Sequence, residues 1–156
     1  MENNWTPGTI KAWTAGIIDG EGTVSIIKHK RAEFEKHVFP GLQMRLRVAN
    51  TNKDMLSLLQ LSWGGNIYAP KRRREGHKQA YFWDIGCSRA VRVLESILPY
   101  LITKHNHAQL GIIYQDRVNK KIGRNGKYLS SREKEMRLSM YEQMKVLNRK
   151  GSQDAR

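Results

Sequence analysis

The chain has 156 residues, 28 Lys+Arg against 14 Asp+Glu, a net charge of +14 and a pI near 10.2. That length suits one domain with a proper core, and so one-sided a charge points to a polyanionic partner. A single cysteine, Cys87, excludes an internal disulfide framework and a cysteine-based zinc cluster, and no apolar run approaches the roughly 18 residues of a membrane span.

The N-terminus, Met1-Glu2-Asn3-Asn4-Trp5, has neither a basic region nor an apolar one behind it, so secretion is not expected. An intracellular, reducing location is, either the cytoplasm of a prokaryote or an organelle. Thr6-Pro7 reads as an N-cap followed by proline in the first turn of a helix. On that helix Ile10, Trp13 and Ile17 form an apolar face expected to pack on the body of the domain. Ala12, Ala15, Gly16 and Asp19 gather nearly opposite, a small-residue side that suits close approach of another helix. Gly20 and Gly22 bracket Glu21, and a strand pattern follows at once over 23–31. There Val24 and Ile26 alternate with Thr23, Ser25, Ile27 and His29.

A polar loop over 30–36 leads towards Pro40-Gly41. Residues 43–49 then alternate cleanly, Met44, Leu46 and Val48 against Gln43, Arg45 and Arg47. A strand with arginines on its solvent side suits phosphate tracking or guanine readout. Asn52 can cap a helix through Met55, Leu56, Leu59 and Trp63, ended by Gly64-Gly65. Residues 66–74 and 79–86 read as a hairpin whose first strand ends in Lys71-Arg72-Arg73-Arg74, beside Tyr68, Tyr81, Phe82 and Trp83. Basic residues interleaved with aromatics favour a nucleic-acid contact over a merely solvated surface. Ser88 is expected to cap a helix with Val91, Leu94, Leu98 and Leu101 inward, bent or restarted at Pro99, and 108–118 continues as helix. After a basic, glycine-containing loop at 119–127, Ser130 and Glu133 have capping-box spacing. They open a last helix over 131–148 with a packing stripe of Met136, Met140, Met144 and Leu147, followed by a frayed tail over 149–156.

The order is α-β-β-α-β-β-α with further C-terminal helices, an α+β fold with a four-stranded antiparallel sheet, helices on one face and arginines on the other. It is read as a single domain over 1–156 with its core at about 5–118.

Thr14-Ala15-Gly16-Ile17-Ile18-Asp19-Gly20-Glu21-Gly22 resembles the motif of the LAGLIDADG homing endonucleases, with Thr for the first Leu, Ile for Leu, and Gly-Glu for Ala-Asp. The resemblance extends over the element order and the Leu98-Pro99-Tyr100-Leu101…Lys104 segment, about residues 8–118. It implies a site-specific endonuclease making a double-strand break in a long, partly palindromic DNA target. It also implies a homodimer, because the chain has one motif, joined through Ala12, Ala15, Gly16 and Asp19. Two Glu21 carboxylates would then lie side by side, and Mg²⁺ or another divalent cation would be held between the subunits and the scissile phosphates by Glu21 and the Gly20 carbonyl. Lys104 matches the family's active-site lysine. Asn50 stands where a Gln is common, and Lys53 near a basic position at the start of the next helix. Asp19 is assigned a structural part and Glu21 the catalytic one. Ser25, Ile27, His29, Arg31, Gln43, Arg45, Arg47, Tyr68, Arg72, Arg74, Gln79 and Tyr81 would read or track the DNA.

A splicing maturase with intron RNA as partner, or a catalytically silent DNA-binding protein, is the alternative on the same fold. The string His105-Asn106-His107 lacks the separation an HNH nuclease motif needs, and the 5 histidines show no zinc spacing.

Overall fold

The computed structural model describes residues 5–29, 41–71, 76–120 and 129–153, with side chains through residue 149. Arg31, Arg72, Arg74, the loop at 30–36 and most of that at 119–127 lie outside these residues. The first helix, α1 (Pro7–Glu21), starts as expected: the Thr6 side chain accepts from the Thr9 amide and proline stands in the first turn. At its end the Gly22 N–H closes on the Ile18 carbonyl. A Cβ on Gly22 would lie 2.6 Å from both Ile18 Cα and Ile18 O. Only glycine therefore lets the chain leave the helix directly into a strand.

That strand, β1 (Gly22–Lys28), pairs antiparallel with β2 (Leu42–Asn50) in the register Gly22↔Val48 to Lys28↔Leu42. The alternation read from the sequence holds in both: Val24, Ile26, Met44, Leu46 and Val48 are buried against the helices. Next come α2 (Lys53–Trp63), capped by Asn52, then β3 (Asn66–Tyr68) and β4 (Tyr81–Gly86). The four-stranded sheet has the order β1-β2-β4-β3. Both hairpin strands are shorter than the pattern suggested. Pro70 lacks the N–H that would continue the ladder with β4, so the first stops at Tyr68.

Helix α3 (Cys87–Ile97) begins one residue after the strand, with Gly86 as its N-cap. Ser88, expected as that cap, lies inside the helix and bonds Asn119 Oδ1 instead. The inward face is Ala90, Val93, Leu94 and Ile97, with Val91 only half-buried. A 3₁₀ turn (Leu98–Tyr100) at Pro99 separates it from α4 (His105–Asn119). On α4, a Cβ at Gly111 would sit 3.0 Å from Met44 Cε and 3.4 Å from Val24 Cγ1, so glycine lets this helix lie close on the sheet.

The last helix, α5 (Ser131–Gln153), runs past the expected end at 148. Met140 and Met144 are buried while Met136 is exposed. An Asn148 Nδ2 bond of 3.1 Å to the Val24 carbonyl seats the helix on β1. Among the described residues all helices contact one face of the sheet or each other, which leaves the opposite face open. Among the described residues no helix is long and apolar enough to cross a membrane.

Candidate nucleic-acid interface and catalytic carboxylate

The open face is set by strand parity. Thr23, Ser25 and Ile27 stand opposite Arg47, Arg45 and Gln43. Across the next ladder Arg45, Arg47 and Ala49 face Gly86, Asp84 and Phe82, and Tyr68 pairs with Phe82. Glu21, Ser25, Ile27, Arg45, Arg47 and Phe82 line one shallow groove of about 250 Å³. Tyr68 and Phe82 stack at 5.4 Å, and the Arg47 guanidinium lies over both rings, at 5.8 and 5.7 Å. At the other end of the groove Gln43 bridges two neighbours. Its Oε1 is 2.5 Å from His29 Nε2, and its Nε2 donates to Cys87 Sγ at 3.0 Å.

Tyr81 departs from this set. It pairs with Asn50 on the helix-covered side of the sheet, where Lys53 Nζ lies 5.8 Å from its ring centroid. The aromatic of the open face is Phe82, one residue on, because side chains alternate along a strand. Gln79 sits in the hairpin itself, donating to the carbonyls of Pro70 and Ala80 at 3.0 and 2.9 Å. The residue that sequence reasoning missed is Asp84, a carboxylate 7% exposed that contacts both Arg45 and Arg47. The signal was present in the alternation Phe82, Asp84, Gly86 against Trp83 and Ile85, which puts the acid on the arginine side.

Glu21 closes α1 at the edge of this groove and is exposed. Asn50 Nδ2 donates to Glu21 Oε2, while Asn50 Oδ1 accepts from the Asn52 amide at 2.8 Å. Asn50 is thus held from one side and holds the carboxylate on the other. Asp19 turns away from the groove and receives the amides of Ile102, Thr103 and Lys104 at 2.8, 3.1 and 2.8 Å. Burial pushes its carboxyl up, but the N–H and hydroxyl donors outweigh that and hold it below the usual range. Asp19 therefore ties the start of α4, and Lys104 with it, to the motif helix. Lys53 lies at the start of α2, just beyond the Asn50–Asn52 pair.

The small-residue side divides in two. Ala15 is fully buried in the protomer's own core together with Thr14 and Ile18, which removes it from any surface between copies. Asp19 is engaged by the Ile102–Lys104 segment. Ala12, Gly16 and Gly20 are exposed, beside half-buried Trp13 and Ile17, so those two are only partly the core face that the apolar pattern suggested. A Cβ at Gly16 or Gly20 would meet nothing within 4 Å.

Among the described residues no group of three or more His, Cys, Asp or Glu could hold a metal. What each protomer offers is the exposed Glu21 carboxylate and the Gly20 carbonyl, which lies in the last turn, where helix carbonyls lack helical donors. These are hard oxygen donors suited to Mg²⁺ or Ca²⁺. They are too few for a closed cage, and fit an ion shared with a second copy and a phosphate.

No family model and no curated protein sequence matches the chain. Solved structures do. The homing endonuclease I-CvuI in complex with its target aligns at TM-score 0.65 and 18% identity, over 90% of this chain and 83% of that one. The archaeal intron-encoded homing endonuclease I-Vdi141I complexed with DNA aligns at TM-score 0.70 and 13% identity, over 91% and 86%. The LAGLIDADG homing endonuclease I-SmaMI bound to cleaved DNA aligns at TM-score 0.62 and 19% identity, over 88% of this chain but only 43% of that one. The chain thus has the fold of the LAGLIDADG homing endonucleases, and the stretch resembling their motif forms its first helix.

Proposed function

We propose that this protein is a site-specific, divalent-metal-dependent DNA endonuclease that acts as a homodimer. The observation that carries this reading is the exposed Glu21 carboxylate, held by Asn50 at the edge of an arginine-lined sheet face and at the end of a helix with an open small-residue side. A carboxylate whose hydrogen-bond partner among the described residues is Asn50 alone has no evident packing use there. The +14 charge and the open sheet suit a duplex followed along its groove. I-CvuI complexes with DNA were solved with Ca and with Mg, and the chain fits slightly under half of the longer I-SmaMI. The I-CvuI ions support a divalent cation at the site, the DNA of the Mg complex being uncleaved, and the I-SmaMI length supports a unit completed by a second copy.

In this reading Glu21 and the Gly20 carbonyl would hold the metal. The metal's part is to offset the charge developing on the attacking and leaving oxygens of the phosphodiester. Asn50 fixes the direction of the Glu21 carboxylate. Lys104, anchored through its amide to Asp19, is assigned the part of a cation that offsets developing negative charge, as the family resemblance implies. Lys53, beside Asn50, neutralises a backbone phosphate. Ser25, Ile27, His29, Gln43, Arg45, Arg47 and Tyr68 face the duplex.

Incubation with fragmented host DNA and Mg²⁺, followed by sequencing of new ends, should give double-strand breaks at a discrete site, abolished by chelator. Glu21→Gln should bind the same fragment with unchanged affinity and cut about 10²–10³-fold more slowly, an effect on the scale of losing a key electrostatic group. Equal cutting by that variant would end the mechanism. Tight binding of intron RNA with no DNA cut would install the maturase reading in its place.

A further inference from the structure

The buried carboxylate of Asp84 lies against two arginines of the open sheet face. Arg45 Nη1 and Arg47 Nη2 approach the same oxygen, Asp84 Oδ2, at 3.2 and 3.6 Å. The carboxylate is 8% exposed, and the arginine side chains are 29% and 42% exposed, so the acid lies beneath them. Among the described residues Asp84 Oδ1, Arg45 Nε and Arg47 Nε are all buried with no hydrogen-bond partner. An ion pair arranged for stability would engage both carboxylate oxygens and the Nε–H groups, as forked arginine–carboxylate pairs do. Here two guanidinium groups instead converge on one oxygen. Like charges held that close repel unless an anion stands between them.

The neighbours fix the remaining freedom. Arg47 is flanked on one side by the stacked Tyr68 and Phe82 rings. Arg45 lies over Gly86, where a Cβ would come within 3.1 Å of Arg45 Cδ. Residues at i and i+2 of a strand are about 6.8 Å apart, about two base steps of 3.4 Å along one DNA strand.

Resting on the endonuclease reading above, we propose that Asp84 is a positioning residue for sequence recognition. It clamps Arg45 and Arg47 into one preset pair of guanidinium forks for acceptor-rich base edges, guanine O6 and N7 foremost. Asp84 is too buried to touch DNA itself and works through the arginines. The clamp also fixes a trade: one negative charge under two positive ones lowers the general attraction to phosphate and raises discrimination between bases.

The test is selection from a pool of randomised duplexes by the full chain without divalent metal, with sequencing of the bound fraction. For the unmodified protein a defined sequence should be enriched. With Asp84→Asn the affinity ratio between that sequence and a scrambled duplex should fall about tenfold or more, the scale of one bidentate base contact. Affinity for the scrambled duplex should stay level or rise, and its salt dependence should steepen. A purely structural Asp84 would instead weaken both duplexes in proportion, with a lower melting temperature, and that result overturns the proposal; so does an unchanged ratio. Asp84→Glu keeps the charge and moves the shared oxygen by one methylene. It should fold, bind scrambled DNA as before and enrich different bases, and enrichment of the original bases at the original ratio counts against the clamp. If the unmodified protein enriches nothing, the endonuclease reading itself fails and this proposal goes with it.

Discussion

At the scale of single residues, Asn50 is the link between β2 and the carboxylate that ends α1. It stands at the end of β2, on the helix side of the sheet, where its amide meets Glu21 and its carbonyl is fixed by the Asn52 backbone. A carboxylate on the last residue of a helix is otherwise free to rotate, so its direction depends on this one donor. Removing an outer partner of a metal-binding group typically costs about 10–100-fold in affinity or activity. Asn50→Ala should therefore slow single-turnover cleavage about 10–100-fold and raise the Mg²⁺ concentration needed, with duplex affinity unchanged. Asn50→Gln keeps the amide, and should recover much of the rate. Equal loss in both variants would mean that Asn50 acts by shape and not by its amide. Sequence reasoning reached Asn50 and Asp19 through their place beside the motif, but not Asp84. Periodicity shows which face a residue occupies and not which cross-strand neighbours it meets. The partners of Asp84 come from β2, far away in sequence.

At the scale of elements, the strands were legible and the helix faces less so. β1 and β2 alternate because one side of the sheet meets apolar helices and the other meets water, and that contrast is written at a period of two. Helix α1 has two surfaces to serve. Its most apolar arc, Ile10, Trp13 and Ile17, is half-exposed, while the buried arc is Thr14, Ala15 and Ile18. Thr14 enters the core because Trp63 Nε1 donates to its hydroxyl at 2.9 Å, a match invisible to a hydrophobicity pattern. The last helix is held by charge as well as methionine. Glu133 is 4% exposed and receives Arg117 Nη2 at 2.7 Å and Arg137 Nε at 3.0 Å. Glu133→Ala leaves a buried arginine without that carboxylate and should cost about 3–5 kcal/mol in urea unfolding. Burial raises the Glu133 pKa, but both arginines outweigh it and hold it below its ordinary value. A depressed acid stabilises above its unfolded value near 4.5, and that contribution disappears as pH falls through the folded one. His107 acts in a higher window. Burial first, then the nearby Lys104 charge, hold its ring below 6.5. Below pH 6.5 the unfolded chain takes up a proton that the buried ring refuses, so stability falls with pH. His107→Gln should flatten the stability profile just below pH 6.5, and Glu133→Ala the more acidic limb. Identical profiles for both variants would show that neither seam sets the acid limit.

At the scale of the whole molecule, the open arc of α1 decides whether one chain is enough. Gly16 in mid-helix costs about 1 kcal/mol relative to alanine, and among the described residues nothing approaches the place its Cβ would take. The protomer alone therefore gains nothing from that glycine, whereas a second backbone crossing at Ala12, Gly16 and Gly20 would. In the proposed dimer the same crossing would bring a second Glu21 to the first, completing a donor set that one chain leaves short. It also doubles the +14 charge facing one duplex. Gly16→Leu separates these roles. Open space and better helix propensity predict a protomer that folds as well as before, with unchanged circular dichroism and an equal or higher melting temperature once monomeric. Contact between copies should be lost, because a branched side chain holds two helix axes apart that small residues let approach. Sedimentation equilibrium should then give a mass of about 36 kDa for the unmodified protein, twice the 18.1 kDa chain, and the single-chain mass for the variant. Double-strand cutting should disappear along with the dimer while binding to non-specific DNA persists at the lower charge. A variant that stays dimeric and cuts normally would move the interface away from α1. The Glu21 site would then have to work with the oxygens of one chain.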